Sequence, residues 1–334
     1  MQMRAVIFDG AGGPDIIRLG EVPKPAVAPG QVRVRVHAAA LNRADLMQRR
    51  GGYPAPAGWP SEIPGLEFAG EVEALYRDES DRWSPGDRVM GLVGGGGQAE
   101  FVVVPEDELI PVPAGITLED AAAIPESFLT AYDALVVRGR LREGERVLIH
   151  AVGSGLGTAA AQIAQRAGAT VLGTSRSAEK LARATVYGVD VGIDTSSGQF
   201  RAAVREPVNV VLDVLGGEAL ADNLAVLAPR GRLLLLGLLT GNSAEVDLGQ
   251  ILRRRLEVIG TVMRTRGAEE RAALAHEFTD VVVPMFEHGV LRPVVDRVLP
   301  MSEIRAAHES LERNESFGKI VMVWTEPART GSAT

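Results

Sequence analysis

The chain has 334 residues, 46% hydrophobic and 23% charged, the proportions of a soluble globular protein long enough for two domains. A net charge of −8 argues against nucleic-acid binding as a main function, and the absence of cysteine excludes disulfides, a thiol nucleophile and thiolate metal ligands. No apolar run reaches the length of a membrane span, and the opening MQMRAVIFDG enters a strand without a signal-peptide pattern, so a cytoplasmic soluble protein is expected. Five histidines, His37, His150, His276, His288 and His308, show no metal-ligand spacing and are read as strand, helix-face or surface residues.

Residues 1–124 read as mostly β. MRAVIFD and QVRVRVHAAAL alternate apolar and polar residues, as half-buried strands do, and the proline-rich EVPKPAVAPG between them reads as a connection. GLEFAGEVEAL, DRVMGLV and AEFVVVP continue the pattern, with four glycines at 94–97 before the last. Prolines and glycines at short intervals suggest a compact barrel-like β domain. A short helix is expected over Leu118–Ile124, capped by Thr117 and ended by Pro125, where the domain crossover is placed. Ser127–Arg138 reads as a further helix.

Strand and helix then alternate. The expected strands are RVLIHAV, TVLGTS, VGID, VNVVLDVL, GRLLLLGLL and LEVIGTVM, and the expected helices are TAAAQIAQRAG, AEKLARATVYG, QFRAAVRE, EALADNLAVLA and LGQILRRR. Right-handed crossovers would build these into a doubly wound parallel sheet of order 3-2-1-4-5-6. A long helix over Ala268–His288 leaves the sheet. VVDRVLP, a helix SEIRAAHESLERN and the strand GKIVMVW are expected to return to the first domain, and the small polar tail after Glu326 to be disordered.

The stretch Arg146–Ala169 organises this half. A strand buried on both faces runs into Gly153-Ser154-Gly155-Leu156-Gly157 and then a helix of small residues. Strand, tight turn and helix form the entry to a dinucleotide-binding βαβ unit, where helix N-terminal amides and the helix dipole favour a pyrophosphate. The spacing departs from G-x-G-x-x-G: with the last glycine at Gly157, Val152 and Ser154 fill the other two places. A plain strand–helix turn is the alternative. The second strand ends in Thr174-Ser175-Arg176-Ser177, with Lys180 following and no carboxylate before Glu179. An NAD site usually places Asp or Glu there, whereas a 2′-phosphate needs hydroxyl and cationic partners. NADP is therefore favoured over NAD. The alternative is that Ser177 caps a helix and Lys180 is a solvated charge.

The order of parts resembles the medium-chain dehydrogenase/reductase superfamily, and several motifs resemble its zinc-independent quinone oxidoreductase branch. These are Asn42 to Arg49 with Gly52-Tyr53-Pro54, Pro64-Gly65-Leu66-Glu67, AAAIPESFLTAYDAL, and Phe317-Gly318-Lys319-Ile320-Val321. The resemblance spans residues 1 to about 324. It implies an α/β fold, a Rossmann doubly wound sheet inserted in a GroES-like β-rich catalytic domain. The implied parts are 1–124, GroES-like; 125–266, NADP-binding; 267–326, the return to the catalytic domain; and 327–334, a flexible tail. Zinc relatives hold their metal with a cysteine near the place of Asn42 and the histidine of a Gly-His-Glu motif. Here that motif reads Gly65-Leu66-Glu67 and the structural zinc lobe has no counterpart, so no metal is expected.

The implied activity is hydride transfer from NADPH to a quinone, with an alkenal or enone double-bond reductase, or a non-enzymatic crystallin-like nucleotide binder, as alternatives. The implied nucleotide contacts are Asn42, Thr130, Gly153, Ser154, Gly155, Leu156, Thr174, Ser175, Arg176, Ser177, Lys180, Gly237, Leu238, Leu239, Val262, Met263, Arg264 and Lys319. Catalytic candidates are Asn42, whose amide can bond cofactor or acceptor oxygen, Tyr53, which can stack on or donate to a quinone, and Ser154 in the glycine turn. Glu67 is the poorer proton-donor candidate, its position being more often structural in the family. A small-molecule quinone or conjugated carbonyl is the expected partner, with no nucleic acid and no membrane. A homodimer or homotetramer pairing through LEVIGTVM is also implied.

Overall fold

In the computed structural model, which describes residues 1–78 and 80–324, the chain opens with β1 (Gln2–Phe8), β2 (Ile17–Pro23), β3 (Gln31–Ala40), β4 (Glu67–Leu75), β5 (Arg88–Leu92), β6 (Phe101–Pro105) and β7 (Ile110–Pro111). Then come β8 (Arg146–Ile149), β9 (Thr170–Ser175), β10 (Val191–Asp194), β11 (Val208–Asp213), β12 (Leu227–Leu235), β13 (Glu257–Gly260), β14 (Val295–Pro300) and β15 (Lys319–Val323). The chain divides into two units, Met1–Glu126 with Gly267 onward, and Ser127–Arg266. The expected tail at 327–334 lies outside the described residues.

The first unit is β-rich. β1 and β2 form an antiparallel pair, and a second sheet runs β14-β15-β3-β4-β5-β7, with β6 also paired to β3. Alternation in β3 places Val32, Val34 and Val36 in a core with Phe68, Val72, Val89 and Val104, while Arg35 faces out. The strand β2 was not expected, and it runs into the stretch read as a connection, overlapping it at residues 21–23. Only its Ile17 is buried, so its pattern carries no alternation, and it is held by backbone pairing to β1 from Gln2↔Pro23 to Phe8↔Ile17. The helix expected over Ala268–His288 is two helices, Ala268–Val281 and Val283–Glu287. Pro284 lies at the break, and a proline has no N–H to continue the helical ladder.

The helix Ile304–Glu312 packs a buried histidine, His308, against Arg49 and edge-to-face against Phe8, with ring centroids 5.9 Å apart. Arg49 donates to His308 Nδ1 at 3.4 Å, and with Arg50 it bonds Glu312. Burial first, and then the Arg49 charge, lower the His308 pKa to about 3, against the opposing pull of Glu312. The folded state thus binds the histidine proton more weakly than the unfolded state, and stability is lost as pH falls from about 6.5 toward 3. By pH 4.5 this contributes about 2–3 kcal/mol of destabilisation. The variant His308→Gln is expected to show a flatter fall in urea stability than the parent between pH 7 and pH 4.5. Equal slopes would remove His308 as the cause.

The second unit is a doubly wound parallel sheet of order β10-β9-β8-β11-β12-β13, the order expected from the sequence. Val147, Leu148 and Ile149 of β8 are completely buried, as a central strand covered on both faces requires. Two helical expectations are corrected. QFRAAVRE forms only the short turn Arg201–Ala203: Phe200 is its one buried anchor, and so short a segment is not stable on propensity alone. The segment from Pro125 to Arg138 is helical but widened, with Gly139 N donating to Ala134 O five residues back. Among the described residues no helix is long and apolar enough to cross a membrane.

Candidate active site

In the first unit Asn42 sits between the end of β3 and the helix Arg43–Arg49, and its N–H donates to Asp45 Oδ2 at 2.7 Å. Its side chain is oriented by three bonds. Nδ2 donates to Glu67 Oε1 at 2.9 Å and to Ala40 O at 3.3 Å, and Oδ1 accepts from Lys319 Nζ at 2.6 Å. Lys319 Nζ also lies 2.5 Å from Glu67 Oε1. The other Glu67 oxygen accepts from Glu126 N at 2.8 Å, and both Glu67 and Lys319 are buried. Asn42 and Lys319, 277 positions apart, thus join with Glu67 in one buried polar cluster. The donors do not fit a zinc ion: Asn42 offers a neutral amide, Leu66 offers nothing, and an ammonium already neutralises Glu67. Tyr53 is half-buried on the loop after the helix.

In the second unit the expected nucleotide residues other than Thr130 lie at or just after the carboxyl ends of β8, β9, β12 and β13, the edge at which open α/β sheets take their ligands. Ser154 caps the helix Gly155–Arg166, its Oγ accepting from Gly157 N at 3.0 Å. A Cβ on Gly157 would stand 2.5 Å from Ala151 O and 2.6 Å from Val152 Cα, so only glycine lets this helix approach the strand so closely. Thr130 has an Oγ1 that is buried without a hydrogen-bond partner among the described residues.

At the end of β9, Thr174 points inward and Arg176 is exposed. Ser175 Oγ accepts from Ser177 N, and Ser177 Oγ accepts from Lys180 N at 3.3 Å, so the serine does cap the next helix. Leu238 and Leu239 are 50% and 51% exposed. Met263 and Arg264 are buried, and Val262 is exposed. These residues and the capped helix fit a dinucleotide: a close turn, an exposed cation and an unsatisfied hydroxyl.

Sequence reasoning missed a buried network beneath this edge. His150 Nδ1 lies 2.9 Å from Thr174 Oγ1, and Nε2 lies 2.7 Å from Asn223 Oδ1. Burial holds the imidazole below its ordinary pKa, against the Asn223 bond and the Asp213 charge, so the ring is neutral at pH 7. Asp213 Oδ1 accepts from Leu215 N at 2.7 Å and Gly216 N at 3.1 Å, which folds the loop after β11. Gly216 and Gly217 have positive φ there, against the Gly237–Thr240 backbone. The pair of glycines directly after VNVVLDVL was the available signal. Among the described residues no group of three or more His, Cys, Asp or Glu side chains could hold a metal.

A doubly wound parallel sheet with a glycine-rich turn, in one chain with a β-rich unit, is the scaffold of a nicotinamide-dependent oxidoreductase. Residues 28–114 match the family profile described as alcohol dehydrogenase GroES-like domain, and residues 155–280 match the one described as zinc-binding dehydrogenase. The chain is 33% identical to the rat (Rattus norvegicus) synaptic vesicle membrane protein VAT-1 homolog over 96% of its own length and 84% of that protein's. It is 32% identical to a quinone oxidoreductase of Pseudomonas aeruginosa over 96% and 99% of the two chains. Among solved structures, an apo JamJ enoyl reductase superposes with a TM-score of 0.87 at 25% identity, covering 97% of this chain and 100% of that one. The chain belongs to the medium-chain dehydrogenase/reductase family, among its quinone oxidoreductase-like members.

Proposed function

We propose that this oxidoreductase uses NADPH, without zinc, to reduce quinones. One observation carries the reading: Lys319 is held against Glu67 and Asn42, where the family's zinc members keep metal ligands. Without a Lewis acid to hold an alkoxide, the zinc route of alcohol oxidation has no support here, whereas an electron-poor conjugated acceptor takes hydride with less help. The bound nicotinamide would supply the hydride. The N-terminal amides of the helix Gly155–Arg166 would take the pyrophosphate, and Thr174 to Ser177 with Lys180 the 2′-phosphate, Arg176 supplying the fork that suits a phosphate. Thr130, Gly237–Leu239 and Val262–Arg264 of the second unit would hold the nicotinamide end. The Tyr53 hydroxyl would donate to the acceptor oxygen as negative charge develops on it.

The same residues serve an enone or enoyl double bond, and the high structural likeness to an enoyl reductase favours that as the second reading. Oxidation of NADPH and NADH, followed at 340 nm with ortho- and para-quinones and with 2-alkenals, separates the cases. The expected result is quinone turnover with kcat/KM for NADPH exceeding that for NADH by about tenfold or more. Alkenal turnover alone would favour the second reading, NADPH binding without turnover a non-enzymatic binder, and an NADH preference would refute the 2′-phosphate assignment.

A further inference from the structure

The segment 261–266 that follows β13 is held from within its own unit by a buried ion pair. Asp133, on the widened helix, is buried and faces Arg266, also buried. The two form a fork: Arg266 Nη1 donates to Oδ1 at 2.9 Å and Nη2 donates to Oδ2 at 2.5 Å. Thr261 Oγ1 completes the clamp, accepting from Arg266 Nη2 at 2.7 Å and donating to Asp133 Oδ2 at 3.1 Å. Arg266 closes the turn between these anchors: its N donates to Met263 O, and its Nε donates to Val262 O, both at 3.3 Å. At the other end Thr261 N donates to Leu235 O at 3.1 Å, tying the segment to β12. The backbone of 262–264 is therefore held by the Asp133 carboxylate through the Arg266 guanidinium, with Arg138 Nε 3.5 Å from the same Asp133 Oδ1.

We infer that Asp133, through Arg266 and Thr261, is the positioning residue for the backbone that receives the nicotinamide end of the nucleotide. This rests on the proposal that Val262–Arg264 hold that end. A planar fork fixes both distance and orientation, which a single point charge does not. Replacing the carboxylate also removes the counter-charge of a buried guanidinium, which is costly. Asp133 has no part in holding the adenosine end, which is assigned to the turns after β8 and β9.

The test compares two ligands on one protein. Binding of NADPH and of adenosine 2′,5′-bisphosphate is measured by calorimetry for the parent, Asp133→Asn and Thr261→Val. The parent should bind both, and Asp133→Asn should weaken NADPH by about tenfold or more while leaving the bisphosphate within about twofold. Thr261→Val, which keeps the ion pair and removes one partner, should weaken NADPH by about threefold with the bisphosphate unchanged. NADPH affinity unchanged in Asp133→Asn overturns the inference, as does equal loss of both ligands, which marks a structural role only. If Asp133→Asn does not fold, Thr261→Val decides alone, and unchanged NADPH binding there overturns it. A parent that binds the bisphosphate but not NADPH refutes the nicotinamide assignment itself, a separate outcome.

Discussion

Replacing Lys319 with methionine is expected to lower stability by about 3–5 kcal/mol, read as a shift of the urea midpoint at unchanged m-value. The reason is Glu67. Its side chain is completely buried, and its charge is balanced by the ammonium at 2.5 Å. Methionine keeps the volume and removes the balance, leaving a carboxylate with only amide donors from Asn42 and Glu126. Breaking a buried pair from one side costs far more than the pair is worth intact. The double variant Glu67→Gln/Lys319→Met buries no charge and should regain a large part of the loss. A single variant within about 1 kcal/mol of the parent would show that the pair does not hold this unit together.

Gly157→Ala is expected to damage both the stability of the second unit and its nucleotide binding. The added Cβ would meet Ala151 O at 2.5 Å and Val152 Cα at 2.6 Å, both backbone atoms that no rotamer change can move. The helix Gly155–Arg166 must then retreat from β8, at a cost of about 1–3 kcal/mol or more. Its N-terminus moves with it, including the Ser154 Oγ bond to Gly157 N. NADPH titration should show at least about a tenfold loss of affinity, with a lowered midpoint on heating. Undiminished binding would mean that the turn after β8 does not take the pyrophosphate.

Parts of this were legible in the sequence. RVLIHAV and VNVVLDVL read as strands because a central parallel strand is covered on both faces, and Val147 to Ile149 and Val210 to Leu212 are all completely buried. The strand β2 was illegible for the opposite reason. IRLGEVP buries only Ile17, and backbone pairing leaves no hydrophobic period to read. The break near Pro284 has the proline itself as its sequence signal. The widening over Pro125–Arg138 changes the hydrogen-bond step by one residue, too little to register in so short a segment.

The site divides in the same way. Sequence alone determined the glycine turn, the missing metal ligands at Leu66 and Asn42, and the hydroxyl and cationic residues after TVLGTS, because these are local chemistry written in consecutive positions. Only the tertiary structure decided that Lys319 meets Asn42 and Glu67, that Asp133 grips Arg266, and that Thr174 turns inward to His150 and Asn223. These pairs are formed by strand order and helix packing across long separations, so no local pattern encodes them. Each member, read in sequence, is an ordinary charged or polar residue that becomes specific only when burial removes water and leaves it the few partners the fold brings near.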